Sequence, residues 1–383
     1  MKIIYYSKHF FADCDFPLIQ EMQHRGMDVR VYIPLEYGFS KSVLFDFKSP
    51  IKKYGIVKAS KMPDMQKFKD CIDLNRLYFI AGYYMGPSAL RTALLWISVY
   101  FHMFFQFADI FHITYHLASF YERKLLLLPF RGKKVATVHD PFLHSGASSH
   151  WERRRKELFK WADQFVLLNK VQSAEFAKYY GIPNDRINIA KLGSYDTIRR
   201  IEPDTIDTST SYILFFGIIS PYKGLKYLLE AMKEVHVQHP DIKLIVAGKG
   251  ECDFEKSEYE NLGYIEWRYR FIGISELAGL LKNALFAVCP YTDATQSGVI
   301  QTAFSMDLPV IATNVGALSK AVTDGETGLV IPPCDVNALA DSISKLISNP
   351  PMLSTMRENI RTKWKKDMDW SPIVDKYIEC YNS

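Results

Sequence analysis

The chain has 383 residues, 48% of them apolar and 23% charged, with 47 basic against 42 acidic residues and a formal net charge of +5. That length is too great for one ordinary domain and suits two or three, and the composition excludes disordered and fibrous classes. The basic excess is too small for a dedicated nucleic-acid binder.

The opening run Lys2–Tyr6 is a predicted first strand rather than a signal peptide, whose apolar region would be longer. A helix is predicted over Phe16–Arg25, stopped by Gly26, and Val29–Ile33 is the next strand. From Ala93 to Ala108 the chain is almost wholly apolar and aromatic. Those sixteen residues span about 24 Å as a helix, short of the roughly 30 Å hydrocarbon core, so the prediction is a buried helix, with one lying in the membrane interface as the alternative. Asp109–Ile113, Lys134–Val138 and Gln164–Leu168 are further strands, with helices at Trp151–Trp161 and Val171–Tyr180.

The stretch 201–211 is polar and rich in Ser and Thr, a linker signature, after which the rhythm restarts. Strands are predicted at Tyr212–Phe216, Ile242–Ala247, Leu285–Pro290, Pro309–Thr313 and Leu329–Ile331. Helices follow Gly224 and occupy Ser275–Asn283, Val299–Met306 and Val336–Ile347. This alternation predicts two doubly wound α/β domains of similar size. The natural ligand site is then a cleft between them, beyond the carboxyl ends of the strands.

Three turns in the second half suit an anion. In Phe215-Phe216-Gly217-Ile218-Ile219-Ser220-Pro221-Tyr222-Lys223-Gly224 a buried strand ends at a glycine, and Lys223 stands at a helix start. The glycine admits a ligand to the backbone, and the helix start adds free N–H groups to the lysine charge. An ordinary βα turn with a solvated lysine is the plain alternative. Gly248-Lys249-Gly250 ends the next strand, and Thr295, Gln296, Ser297 and Gly298 lead into a helix.

In the first half, Thr137-Val138-His139-Asp140 ends a strand with a titratable pair. No histidine has metal-site spacing; the triplet Asp13-Cys14-Asp15 precedes a helix whose N–H groups it can cap, Asp367-Met368-Asp369 is a three-residue match of a kind common by chance, and neither is assigned a metal. Six cysteines without C-x-x-C spacing fit a reducing cytosol, and Cys289, in an apolar run, reads as core. The clusters Arg131, Lys133, Lys134 and Arg153–Lys156 read either as solvated surface or as contacts for acidic lipid headgroups or phosphates.

These residues resemble the retaining glycosyltransferases of family 4, which have the GT-B fold. The resemblance rests on Phe-Phe-Gly…Pro-Tyr-Lys-Gly at 215–224, Ile-Val-Ala-Gly-Lys-Gly at 245–250 and Phe271-Ile272-Gly273. It continues through Ala294-Thr295-Gln296-Ser297-Gly298-Val299, Pro309–Thr313 and Gly325–Val330, and more loosely through Thr137–Asp140. It implies two Rossmann-like domains facing each other across a cleft: 1–204 for the acceptor, 205–367 for a nucleotide sugar, and 368–383 as a helix crossing back. By position, Lys223 would neutralise the diphosphate, with Gly217 and Gly248 at the strand ends. Ser297, Gly298 and Val299 would cradle the diphosphate, and Phe271, Ile272 and Gly273 would hold the base. His139 matches the histidine that faces the donor sugar.

Three departures stand out. Ile218 occupies the place of the family's phosphate-binding arginine, and Lys191-Leu192-Gly193 replaces Pro-His-Gly. The family's paired glutamates fall on Ala294 and Thr302, or, shifted by one, on Asp293 and Gln301. The function implied is metal-independent, retaining transfer from a nucleotide-sugar donor to a glycan or lipid-linked acceptor. The donor is a substrate, so no cofactor is expected, and neither is nucleic acid. The implied setting is cell-surface polysaccharide assembly in the cytoplasm, at the inner membrane face. The alternatives are a non-catalytic nucleotide-sugar-binding subunit and a sugar-nucleotide epimerase.

Overall fold

Runs of β-branched and aromatic residues build two separate sheets in the computed structural model of the chain, which describes residues 1–82, 89–114, 117–139, 141–142, 149–168, 170, 172–207, 209–293, 298–316 and 318–383. The chain divides into two units, Met1–Gly193 with Asp369–Ser383, and Ser194–Met368.

The first unit contains β1 (Lys2–Tyr6), β2 (Asp28–Leu35), β3 (Phe39–Lys41), β4 (Asp46–Ile51), β5 (Gly55–Lys58), β6 (Leu77–Ala81), β7 (Ile110–Ile113), β8 (Lys133–Val138), β9 (Gln164–Leu167) and β10 (Ile187–Ile189). Its eight-stranded sheet runs β10-β9-β8-β7-β1-β2-β6-β5, parallel except for the β5–β6 pair, while β3 and β4 form a separate antiparallel pair. The chain leaves β1 in opposite directions, to β2 on one side and β7 on the other, which makes the β1/β7 boundary a topological switch point. The helix Trp370–Asn382 belongs to this unit and buries Trp370, Ile373, Val374, Tyr377, Cys380 and Tyr381.

The second unit contains β11 (Ser211–Phe216), β12 (Ile242–Ala247), β13 (Ile265–Arg268), β14 (Ala287–Cys289), β15 (Val310–Thr313) and β16 (Gly328–Ile331), in the order β13-β12-β11-β14-β15-β16. Every pairing is parallel, and the switch point lies between β11 and β14. The helix Leu225–Gln238 buries Leu225, Leu228, Leu229, Met232 and Val235, the apolar face its spacing predicts. Cys289 is buried in β14.

Two expectations need correction. The polar stretch 201–211 is not the boundary: the second unit already begins at Ser194. Arg199 pairs with Asp307, the Asp204 amide donates to the Ser275 carbonyl at 3.0 Å, and Ile206 packs beside Gly279, so the run to Ile206 is built into the unit it was expected to precede. The apolar helix, Ala89–Phe104, is buried on one face only. Thr92, Leu95, Trp96, Val99 and Met103 face the core, whereas Leu90, Leu94, Ile97, Phe101 and Phe104 are exposed. Hydrophobicity on all sides suggested full burial, but among the described residues only one side is buried against the protein. No helix among the described residues is long and apolar enough to cross a membrane.

Candidate functional site

The ends of β11, β12 and β14 bring several predicted residues together. Gly217 follows β11 at φ +102°, and a Cβ placed there would lie 3.3 Å from both the Lys223 ammonium and Val299 Cγ2. Gly217, Lys223 and Val299 therefore meet at one point although 82 positions separate the first from the last (299 − 217). Lys223 ends a short 3-10 turn over Pro221–Lys223, and Gly224, at φ +64°, turns the chain into the following helix. A Cβ on Gly224 would stand 2.0 Å from the Pro290 carbonyl oxygen, so only glycine lets this loop close against the end of β14. The Thr292 amide donates to the Tyr222 carbonyl at 2.7 Å and locks the two loops.

Lys223 is only 6% exposed, and its ammonium lies 5.5 Å from the centre of the Tyr291 ring. Burial pushes its pKa down, with a small opposing effect from the Cys289 thiol. A cation lowered by desolvation gains stability from an incoming anion. The Gly298–Ser305 helix starts beside it, with Gly298 exposed and its first N–H groups lacking intrahelical partners. Together these features favour a phosphate-like group.

The remaining predicted residues divide. A Cβ on Gly248 would fall 1.9 Å from the Gly217 carbonyl oxygen, so this glycine serves loop-to-loop packing. Asp293 is exposed beyond β14. Thr302 donates its hydroxyl back to the Gly298 carbonyl at 2.7 Å, which spends that proton inside its own helix. Gln301 Oε1 is buried and lacks a hydrogen-bond partner among the described residues. Phe271, Ile272 and Gly273 lie beyond β13, two strands from β11 at the sheet edge, with Gly273 at the start of the helix Ile274–Asn283. Gln296 and Ser297, with Ala294 and Thr295, fall outside the described residues, as does Asp140. Ile218 is 71% exposed.

Sequence reasoning missed the bracing of the Phe271 turn. Glu276 bonds Arg268 at 2.9 Å and Arg270 at 2.6 and 2.7 Å, and Arg270 also donates to the Phe271 carbonyl at 3.2 Å. These partners lie on different elements, so no local spacing signals them.

His139 follows β8 in the first unit, and its ring stacks on Phe11 with centroids 3.8 Å apart. Burial lowers its pKa to about 3, so the imidazole is neutral at ordinary pH. Its Nε2 is buried without a hydrogen-bond partner among the described residues. Around it lies a polar network that sequence reading overlooked. Asp15 accepts hydrogen bonds from Tyr5 at 3.0 Å and from Ser7, and Thr114 donates to Ser7. His112 bridges Tyr381 at 2.6 Å and Thr137 at 2.7 Å. Burial raises Asp13 and Asp15 to about 7 and lowers His112 to about 3.

Ligand atoms of Cys14, Asp15 and His139 lie within 4.8 Å of one another, an approach that the helix-cap reading of the first Asp triplet did not anticipate. Asp15 is engaged by two hydroxyls and the Cys14 thiol by the Phe11 carbonyl at 3.1 Å, which leaves His139 Nε2 as the member of the group without a hydrogen-bond partner among the described residues. In the second triplet, Asp369 caps the final helix through the Ser371 amide at 2.8 Å.

Residues 210–349 match the family model described as glycosyl transferases group 1. Over 280 residues the chain is 23% identical to a glycogen synthase of Mycobacterium tuberculosis, covering 70% of this chain and 66% of that protein. It is 32% identical over 228 residues to an uncharacterized glycosyltransferase of Methanocaldococcus jannaschii, covering 56% and 64%. In both cases the match spans just under two thirds of the relative. The fold resembles that of Anabaena Alr3699/HepE in complex with UDP-glucose, at a TM-score of 0.65 and 14% identity over 100% of this chain and 99% of that one. The two units of mainly parallel strands and the likeness to this structure show the GT-B fold, and the second unit is similar over residues 210–349 to the glycosyl transferases group 1 family.

Proposed function

We propose that the protein is a glycosyltransferase that takes a sugar from a nucleotide-diphosphate donor and passes it, with retention of configuration and without a metal, to a glycan or lipid-linked acceptor. The observation that carries this reading is the buried Lys223 ammonium, meeting Gly217 and Val299 at the switch point of the second sheet. There the diphosphate would receive the lysine charge and the amides that open the Gly298–Ser305 helix. The bond from the anomeric carbon to the diphosphate oxygen breaks as the acceptor oxygen bonds to the same face, and the departing diphosphate takes the acceptor proton. Such a reaction asks the protein for positioning and for charge stabilisation on the leaving group. Phe271–Gly273 would seat the base, and Asp293 and Gln301 would meet sugar or ribose hydroxyls. The neutral His139 would face the donor sugar as a hydrogen-bonding group.

A second reading is a nucleotide-sugar-binding subunit without transfer. Phe11 stacked on His139 and the exposed Ile218 in the arginine position favour it. The deciding experiment incubates the protein with a panel of radiolabelled nucleotide sugars and membrane extract. Transfer by the native chain and none by Lys223→Ala supports the first reading. Donor binding without transfer by the native chain supports the second, and transfer undiminished in Lys223→Ala removes the site assignment.

A further inference from the structure

The exposed face of the helix Ala89–Phe104 continues past the helix end into a knob of phenylalanines. Phe101 and Phe105 stack at 6.2 Å, and Phe107 packs on Phe104 and Phe105 at 6.4 and 6.2 Å. Phe105 is 60% exposed and Phe107 73%. Phe107 also takes φ +49°, a left-handed conformation that costs a bulky side chain about 1–2 kcal/mol. Local energetics thus favour neither the backbone nor the exposure of this ring in water, and the two together mark a surface that is covered in use.

The surroundings of the knob indicate what covers it. Lys2 donates its ammonium to the Gln106 carbonyl at 3.0 Å, and the Lys133 amide donates to the Asp109 carbonyl at 2.9 Å. Gly132, between Arg131 and Lys133, packs directly on Asp109. The starts of β1, β7 and β8 therefore place Lys2, Arg131 and Lys133 beside the knob. The acids at this edge are engaged: the Asp109 carboxylate accepts the Lys2 amide at 2.7 Å, and Asp28 pairs with Arg30 and Arg76. By contrast, three of the four cations of the Arg153–Lys156 cluster have partners within the protein, while Arg153 is exposed. Arg155 is buried on the Pro141 carbonyl, Arg154 lies over Trp151, and Lys156 pairs with Glu152.

We infer that this face docks on an anionic lipid bilayer, with Phe101, Phe105 and Phe107 among the acyl chains and Lys2, Arg131 and Lys133 at the phosphates. An apolar face that ends in aromatic rings beside cations matches the layered chemistry of a membrane interface. A helical partner fits less well. The apolar stripe on the helix covers about two heptads, where a coiled coil needs three or four, and Phe105 and Phe107 lie beyond the helix end. The docking leans on the glycosyltransferase reading only for its purpose, reaching a membrane-held acceptor, and its test uses neither donor nor acceptor.

The test is co-sedimentation of the full chain with phosphatidylcholine vesicles, with and without phosphatidylglycerol. The native chain is expected to pellet with the phosphatidylglycerol vesicles. Phe105→Ser/Phe107→Ser should lower that partition about tenfold or more, and Arg131→Glu/Lys133→Glu should lower it only where phosphatidylglycerol is present. Thermal melting checks that the variants fold. Independently, Phe105→Trp should shift its emission to the blue on adding phosphatidylglycerol vesicles. A native chain that stays in solution, or an emission that does not move, overturns the inference. So does a native dimer that Phe105→Ser/Phe107→Ser makes monomeric without any vesicle binding, since the face then belongs to a second copy.

Discussion

The two units use one topology in opposite ways at the carboxyl ends of their strands. In each, the first strand stands inside a parallel sheet and the chain departs from it to both sides. In the second unit β11 and β12 end at glycines, and beside Gly217 lies a lysine without a partner carboxylate among the described residues, next to an exposed helix start. In the first unit the described ends of β7 and β8 are covered by the protein's own side chains, although His139 Nε2 keeps no hydrogen-bond partner among the described residues. Phe11 covers His139, and Tyr381 and Thr137 saturate His112. The difference teaches where binding capacity resides. A switch point can take an anion only where a cation is left unspent; in the second unit Lys223 is such a cation among the described residues, whereas the group left without a partner in the first unit is the neutral His139 ring.

The sharpest way to break this comparison is Lys223→Ala. If the unspent cation carries the leaving group, transfer should fall about a thousandfold and nucleotide-diphosphate affinity should fall with it, measured by initial rates and calorimetry. Next comes the glycine frame. Gly248→Ala should destabilise the second unit by about 3 kcal/mol, because its Cβ would meet the Gly217 carbonyl, whereas Gly263→Ala, which opens onto free space, should be near neutral in denaturant melts.

A smaller effect tests the saturated unit. On acidification from about 6.5 toward 3, unfolding must protonate His112 and His139, whose folded pKa values are lowered, so their contribution to stability is lost as pH falls. Asp13 and Asp15, raised to about 7, work the other way: their contribution is complete below about pH 4 and lost as pH rises to 7. Asp15→Asn removes one opposing contribution, so the melting temperature of the variant should fall more steeply than the native value between pH 6.5 and 4. The smallest effect is a gain. Ile218→Arg places a second cation at an exposed position without losing packing, and nucleotide-diphosphate affinity should rise about fivefold, near 1 kcal/mol.

The alternation of strands and helices was legible because apolar runs and glycine stops are local signals. Lys2–Tyr6, Ile242–Ala247 and Val336–Ile347 lie where periodicity places them. Strands β3 to β5 were not legible, since they are short and carry lysines or an aspartate, whereas β6, Leu77–Ala81, is a short apolar run that the sequence reading passed over. The motif at 215–224 made Lys223 a candidate site residue, and three-dimensional placement supplied its neighbours. The same placement moved Gly248 from ligand contact to packing and tied Thr302 into its own helix.

The sequence by itself determined the α/β class, the strand and helix alternation outside β3–β6, β10 and β13, and the turns that could face an anion, because each depends on residues close together along the chain. It also set the arithmetic of a long, mildly basic, aromatic-rich chain. Only the tertiary structure decided which charges remain available and which apolar side chains remain uncovered. Among the described residues, Lys223 is buried without a counter-carboxylate, Arg155 is consumed by a carbonyl, and one face of the Ala89–Phe104 helix is exposed. Burial and pairing depend on partners that lie far apart in the chain, and no local pattern encodes them.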